Sequence, residues 1–113
     1  MVQWVYSDTP IIVTKRMSDV EPEPIQWLWP GRIALGKVTL LAGDPGLGKS
    51  MITCAMAAHV TTGTPWPVDR SKCIHGDVIM LSAEDDPGDT LRPRLDAAGA
   101  DVSKVQVLDM VRE

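Results

Sequence analysis

The pattern of hydrophobic and polar positions changes near residue 36 and divides the chain into two parts. Residues 1–36 form an irregular lead-in segment, in which IIVTK at 11–15 is compatible with a short strand. The EPEP at 21–24 is incompatible with a helix interior or a central strand, because each proline lacks an N–H donor and has a fixed φ. Residues 37–113 have the pattern of a folded α/β domain.

Three short apolar runs in the second part are typical of strands that are buried on both faces: VTLLA at 38–42, VIML at 78–81 and VQVL at 105–108. Between the first two runs, residues 49–62 are apolar nearly all round, which predicts a helix packed against a sheet. Gly63 is expected to end this helix.

A second helix is predicted between the second and third strands. Leu91, Leu95 and Ala98 lie at helical spacing, with Thr90 as the expected N-cap and Gly99 at the C-terminal end. Elements then alternate as strand, helix, strand, helix, strand. This order predicts an α/β fold with a parallel sheet and right-handed crossovers.

Length, charge and cysteine content exclude several classes of protein. A chain of 113 residues has room for one domain, and its net charge of −4 is scattered, so no basic face indicates nucleic acid or membrane. Two cysteines, Cys54 and Cys73, are too few for a disulfide framework. The N-terminus lacks a signal-peptide pattern, and no apolar run approaches the roughly 18 residues of a membrane span. These observations favour a cytoplasmic location.

The stretch GDPGLGKS at 43–50 matches G-x-x-x-x-G-K-[ST], the P-loop, between a predicted strand and a predicted helix. Its glycines allow backbone N–H groups to approach phosphate oxygens, and the helix that follows directs its N-terminal dipole at the anion. Lys49 is expected to reach the β- and γ-phosphates, and the Ser50 hydroxyl to bind Mg²⁺. The predicted nucleotide-binding residues are Gly43, Asp44, Pro45, Gly46, Leu47, Gly48, Lys49, Ser50 and Met51.

Carboxylates follow the second predicted strand, at the sheet edge that also carries the P-loop. Glu84 is placed to polarise an attacking water or to hold Mg²⁺ through water, but a solvated turn fits its spacing equally well. Asp85 and Asp86 are more typical of a turn, because Asp-Pro-Gly is turn chemistry.

Other candidate residues favour structural roles. Cys73 and His75 lack a second pair of ligands at zinc spacing. His59 lies in the predicted buried helix and is expected to be a hydrogen-bonded core residue. Three tryptophans could stack on adenine, although packing at a domain edge is more typical: Trp27, Trp29 and Trp66.

Three segments together resemble the RecA-like AAA-family ATPases related to the RepA-type hexameric replicative helicases of plasmids and phages. They are LGKVTLLAGDPGLGKS, GDVIMLSAEDDPGDTLRPRLDAAGA and VQVLD, within residues 20–109. The resemblance implies a P-loop, three-layer sandwich and ATP hydrolysis with Mg²⁺, and it assigns catalytic roles to Lys49 and Glu84. Arg94 matches an arginine near the nucleotide or the subunit boundary, although a surface arginine on a helix is an equally open interpretation.

The same resemblance implies a hexameric ring, with DNA contacted by regions beyond Glu113. Members carry a Walker B strand, which ends in aspartate, after the region matched here, and Asp109 aligns with the preceding strand. We therefore expect residues 37–113 to be the N-terminal part of a larger ATPase domain that continues past this strand, and we expect the 113-residue chain alone to hydrolyse ATP weakly or not at all. Two other functions remain open: a P-loop kinase and a non-catalytic, nucleotide-responsive regulatory module.

Overall fold

A computed structural model describes residues 9–44, 46–82 and 86–108 of the chain. A short antiparallel hairpin comes first, formed by β1 (Trp27–Trp29) and β2 (Ile33–Ala34). The helix α1 (Lys49–Thr62) follows, and then the strand β3 (Val78–Met80). A π-helical turn (Pro87–Leu91) leads directly into α2 (Arg92–Ala98), and β4 (Val105–Val107) comes last. The result is a mixed helix and strand structure with a small parallel sheet.

Helix α1 has the bounds that the sequence predicts. Its buried face is made of small side chains, Cys54, Ala57, Ala58 and Thr61, which let neighbouring elements approach the helix backbone closely. At the C-terminal end, Gly63 adopts a left-handed conformation (φ 69°) and its N–H donates to the His59 carbonyl at 2.8 Å. The predicted stop signal is therefore confirmed.

Strands β3 and β4 pair in parallel, which confirms the predicted sheet for this part of the chain. The ladder continues for one more bond, from the Leu108 N–H to the Met80 carbonyl at 2.9 Å. One face of the pair packs on the core of α1 and α2, where Val78 and Val105 lie against the buried cluster of Cys54, Ala57 and Leu95. The prediction of burial on both faces is wrong for β3, because Ile79 on the opposite face is 76% exposed.

Two strand predictions are wrong. Residues 38–42 and 11–15 have an irregular backbone, and Val38 and Leu40 are 98% and 89% exposed. An apolar run indicates side chains that are suited to burial. A strand also needs a neighbouring strand whose N–H and C=O groups pair with its own. Among the described residues, β3 pairs with β4, and no strand pairs with residues 38–42.

The second helical segment starts earlier than predicted. Asp86 is the N-cap, because its carboxylate accepts from the N–H groups of Gly88 and Asp89 at 3.0 and 2.9 Å. Thr90, the predicted N-cap, lies inside the helical segment, so that prediction is wrong. The Asp-Pro-Gly turn supplies both a carboxylate cap and a proline with a helical φ, and this combination begins the helix before Thr90.

Stacked aromatic rings join the hairpin to the C-terminal end of α1. Trp66 is fully buried and stacks parallel on Trp29, with ring centroids 4.7 Å apart. Its indole N–H donates to the Leu28 carbonyl at 2.8 Å, and the His59 ring also stacks on it, with ring centroids 5.1 Å apart. Packing is therefore confirmed for these two tryptophans, whereas Trp27 is 39% exposed. The domain boundary at residue 36 stays a prediction.

The two candidate metal ligands have structural partners. Cys73 is buried, and this burial raises the pKa of its thiol. His75 has its Nε2 2.7 Å from the Thr61 carbonyl oxygen. In the described part of the chain, no three His, Cys, Asp or Glu side chains are grouped to hold a metal ion. Within the same residues, no helix has the length and apolarity that a membrane crossing requires.

Replacing Trp66 by alanine should lower the free energy of unfolding by about 3–5 kcal/mol, because it removes a fully buried ring and leaves a cavity. The matched control is Trp27→Ala, which removes an exposed ring of the same type and should cost less than about 1 kcal/mol. Urea unfolding followed by far-ultraviolet circular dichroism measures both changes. Equal losses in the two variants would contradict the packing described here.

Candidate functional site

The loop at 43–50 turns into α1 through glycines in the left-handed region. Gly46 and Gly48 have φ values of 85° and 87°. Gly48 is the N-cap of α1, and no side chain caps the first turn of this helix. Since the first N–H groups of a helix have no intrahelical partner, the start of α1 presents donors that suit an anion.

The Lys49 side chain folds back over the loop. Its ammonium donates to the Gly43 carbonyl and to the Asp44 carbonyl, the latter at 3.1 Å. A turn between these residues and α1 is closed by the Leu47 N–H, which lies 3.4 Å from the Asp44 oxygen. The carbonyl groups of Gly43 and Asp44 thus hold the Lys49 ammonium next to the uncapped start of α1.

Ser50, the second residue of α1, connects the loop to the second helix. Its hydroxyl oxygen accepts a hydrogen bond from Arg94 Nη1 of α2 at 2.6 Å, in a partly buried position. Arg94 is placed there because α2 packs along α1, with Leu95 of α2 in the same core cluster as Cys54 and Ala57. Two cationic side chains, those of Lys49 and Arg94, therefore contact the P-loop motif.

A cleft of about 640 Å³ lies beside this contact. Its walls include Ser50 and Thr53 of α1, Thr39 from the segment before the loop, and Ser82 directly after β3. The carboxyl end of β3 and the start of α1 thus line the same cleft, which is the edge where open α/β sheets bind ligands. A smaller cavity, about 330 Å³, is lined by residues of α2 and β4 and includes no residue of the P-loop motif.

The remaining predicted residues are either exposed or outside the described residues. Asp44, Leu47 and Met51 are exposed around the loop. Pro45 and Glu84 lie outside the described residues, as does Asp85. The roles assigned to all of these positions stay predictions.

Sequence reasoning missed two features of this site. It left Arg94 between two interpretations, because no spacing rule connects residues that are 44 positions apart. It also overlooked Ser82, although a polar residue at the carboxyl end of a parallel strand is itself a signal of a ligand-binding edge.

Comparison with known families agrees with this geometry. A family model described as an AAA domain matches residues 8–113, so the chain belongs to that family. The family identifies the chain as a nucleotide-binding domain of the ATPase type. No curated protein matches the chain, and no solved structure matches it.

Replacing Gly48 by alanine should lower the free energy of unfolding by about 1–2 kcal/mol, because an L-residue is strained at this positive φ. An added Cβ would meet no atom within 4 Å at this position, so strain and not a clash is tested. Gly76→Ala is the matched control, because its Cβ also meets nothing within 4 Å and its φ lies outside the left-handed region. Thermal or urea unfolding that shows no difference between the two variants would contradict the left-handed cap.

Proposed function

We propose that this chain binds ATP at the loop 43–50 as part of an ATPase that hydrolyses the bond between the β- and γ-phosphates of the nucleotide. The observation that carries the proposal is the start of α1, where left-handed Gly48, the uncapped first turn and the Lys49 ammonium converge. Backbone N–H groups and a flexible ammonium are the groups that hold phosphate oxygens in P-loops. Membership of the AAA family supports the same ligand.

Lys49 is proposed to exchange its carbonyl partners for phosphate oxygens. In the present arrangement its ammonium donates to neutral acceptors, the oxygens of Gly43 and Asp44. A hydrogen bond between two charged groups is shorter and stronger than one to a neutral carbonyl, so the exchange favours nucleotide binding. The loop glycines then supply N–H groups around the same anion.

Mg²⁺ is the proposed cofactor, and Ser50 is its proposed ligand. The hydroxyl oxygen of Ser50 suits a hard cation, and it already accepts a hydrogen bond from the cationic Arg94 side chain. Mg²⁺ held by Ser50 would neutralise the negative charge that develops on the phosphates. The contact of Arg94 with Ser50 supports a position for this arginine next to the nucleotide.

Glu84 is proposed as the general base that orients and polarises the attacking water. Support comes from Ser82, two residues earlier, which lines the cleft that Ser50 also lines. As the water oxygen bonds to the γ-phosphorus, the bond between this phosphorus and the β–γ bridging oxygen breaks, ADP leaves, and a proton of the water passes to the Glu84 carboxylate.

A finer proposal concerns the purpose of the hydrolysis. The two motifs, in this order, resemble those of RepA-type hexameric replicative helicases. This resemblance supports a RecA-like motor that works in DNA replication, as a homo-oligomeric ring with DNA as a partner. ATPase assays with and without single-stranded DNA test this proposal, because a DNA motor hydrolyses faster when DNA is present.

Lys49→Ala should weaken Mg-ATP binding at least about tenfold, because a charge-assisted contact to phosphate is lost. Lys72→Ala is the control, because it removes the same charge from an exposed loop position outside the P-loop motif. Isothermal titration calorimetry measures both affinities. An affinity unchanged by Lys49→Ala would remove the P-loop assignment.

In the complete protein, Glu84→Gln should leave ATP affinity near the wild-type value and reduce turnover by about 10²–10⁴-fold, because only the basic oxygen is removed. The neighbouring change Asp85→Asn is the control and should retain turnover, since Asp85 is assigned to the turn. Steady-state phosphate release and equilibrium binding are measured on the same preparations. If Glu84→Gln turns over like the wild type while binding ATP, Glu84 is not the base.

A further inference from the structure

One contact connects the two helices at the proposed phosphate site. Arg94 Nη1 on α2 lies 2.6 Å from the hydroxyl oxygen of Ser50 on α1, and the contact is partly buried. The donor is a guanidinium, so this hydrogen bond carries a full positive charge. The oxygen proposed to bind Mg²⁺ is therefore already next to a positive charge.

The two cations compete for this oxygen. A serine hydroxyl has two lone pairs, so a guanidinium and a metal ion could in principle share it. A Mg²⁺ ion at its usual distance of about 2.1 Å from the oxygen would lie about 4 Å from the Arg94 nitrogen. The repulsion between them is twice that of two unit charges at this distance, and partial burial reduces the screening by salt.

We infer that Arg94 controls the magnesium affinity of the site: its guanidinium holds the Ser50 hydroxyl, and Mg²⁺ binding moves it away. This inference rests on the proposed function, because it assumes that Mg²⁺ and ATP bind at the P-loop. Arg94 is then a positioning residue, which acts on the metal through Ser50. Only molecules in which the Arg94 contact is broken bind the metal. The apparent Mg²⁺ affinity is therefore the intrinsic affinity multiplied by the fraction of such molecules.

The same helix provides a matched control. Arg92 lies two residues before Arg94, and its Nε donates to both carboxylate oxygens of Asp96 at 3.0 Å. Its side chain is 61% exposed, whereas the contact of Arg94 with Ser50 is partly buried. Neutralising Arg92 therefore removes one positive charge from α2 and leaves the Ser50 contact in place.

The test measures binding of a fluorescent ATP analogue to the full chain, first in EDTA and then in saturating Mg²⁺. The ratio of the two Kd values reports how much the metal strengthens nucleotide binding, and the affinity of Mg²⁺ for free nucleotide cancels between variants. In Arg94→Gln and Arg94→Met this ratio should rise about three- to tenfold, the size of one ordinary net hydrogen bond in a protein. In Arg92→Gln it should stay within about twofold of the wild type.

Arg94→Met keeps most of the aliphatic stem, so one of the two variants remains testable if the other fails to fold, as judged by thermal melting. A ratio that is unchanged or lower in the Arg94 variants overturns this inference. If Lys49→Ala abolishes nucleotide binding in the same assay, the proposed function stays intact. A wild-type chain that binds no nucleotide in either buffer overturns the proposed function and this inference with it.

Discussion

The structure depends on the close packing of its other elements against the buried face of helix α1. Because Cys54 and Ala57 are small, Leu95 of α2 and partly buried side chains of β3 pack directly against the helix. Thr61, the buried polar residue at the end of this face, is hydrogen-bonded twice. Its hydroxyl donates to the Ala57 carbonyl at 2.8 Å and accepts from the Asp101 N–H at 3.0 Å. Thr61 thereby joins α1 to the segment that leads into β4, and its polar group is satisfied without water.

This packing determines which residues lie around each end of α1. At the N-terminal end, α2 lies close enough for Arg94 to reach Ser50, and the end of β3 borders the same cleft. At the C-terminal end, His59 and Trp66 stack in line with Trp29 of the hairpin. Helix α1 thus connects the loop at 43–50, beside the end of β3, to the stacked rings. The candidate site is thus a consequence of how the helix is packed as well as of the loop sequence.

The sequence predicts well those features that local chemistry decides. The limits of α1, the stop at Gly63, the strands near 78–81 and 105–108 and their parallel pairing all follow from periodicity and glycine geometry. Residues 38–42 are the clearest failure, because apolar side chains do not identify the strand that must pair with them. The prediction of Thr90 as the N-cap is wrong for another reason. Asp86 is a stronger cap, and it lies only a few residues before Thr90.

For the candidate site, the sequence identifies the loop but not its partners in space. The motif at 43–50 locates Lys49 and Ser50, whereas the contact with Arg94 depends on the packing of α2 along α1. Glu84 stays a prediction that rests on motif order and on the resemblance to the helicases. Tertiary contacts of this kind are outside what the spacing of residues can specify.

The central claim is that ATP binds at the start of α1. The most direct measurement is a titration of the ¹⁵N-labelled chain with ATP and Mg²⁺, followed by amide chemical shifts. The account predicts that the largest changes occur at Gly46, Gly48, Lys49 and Ser50, whose N–H groups would approach the phosphates. Changes confined to the smaller cavity between α2 and β4, around Leu95 and Val105, with the loop amides unmoved, would contradict it.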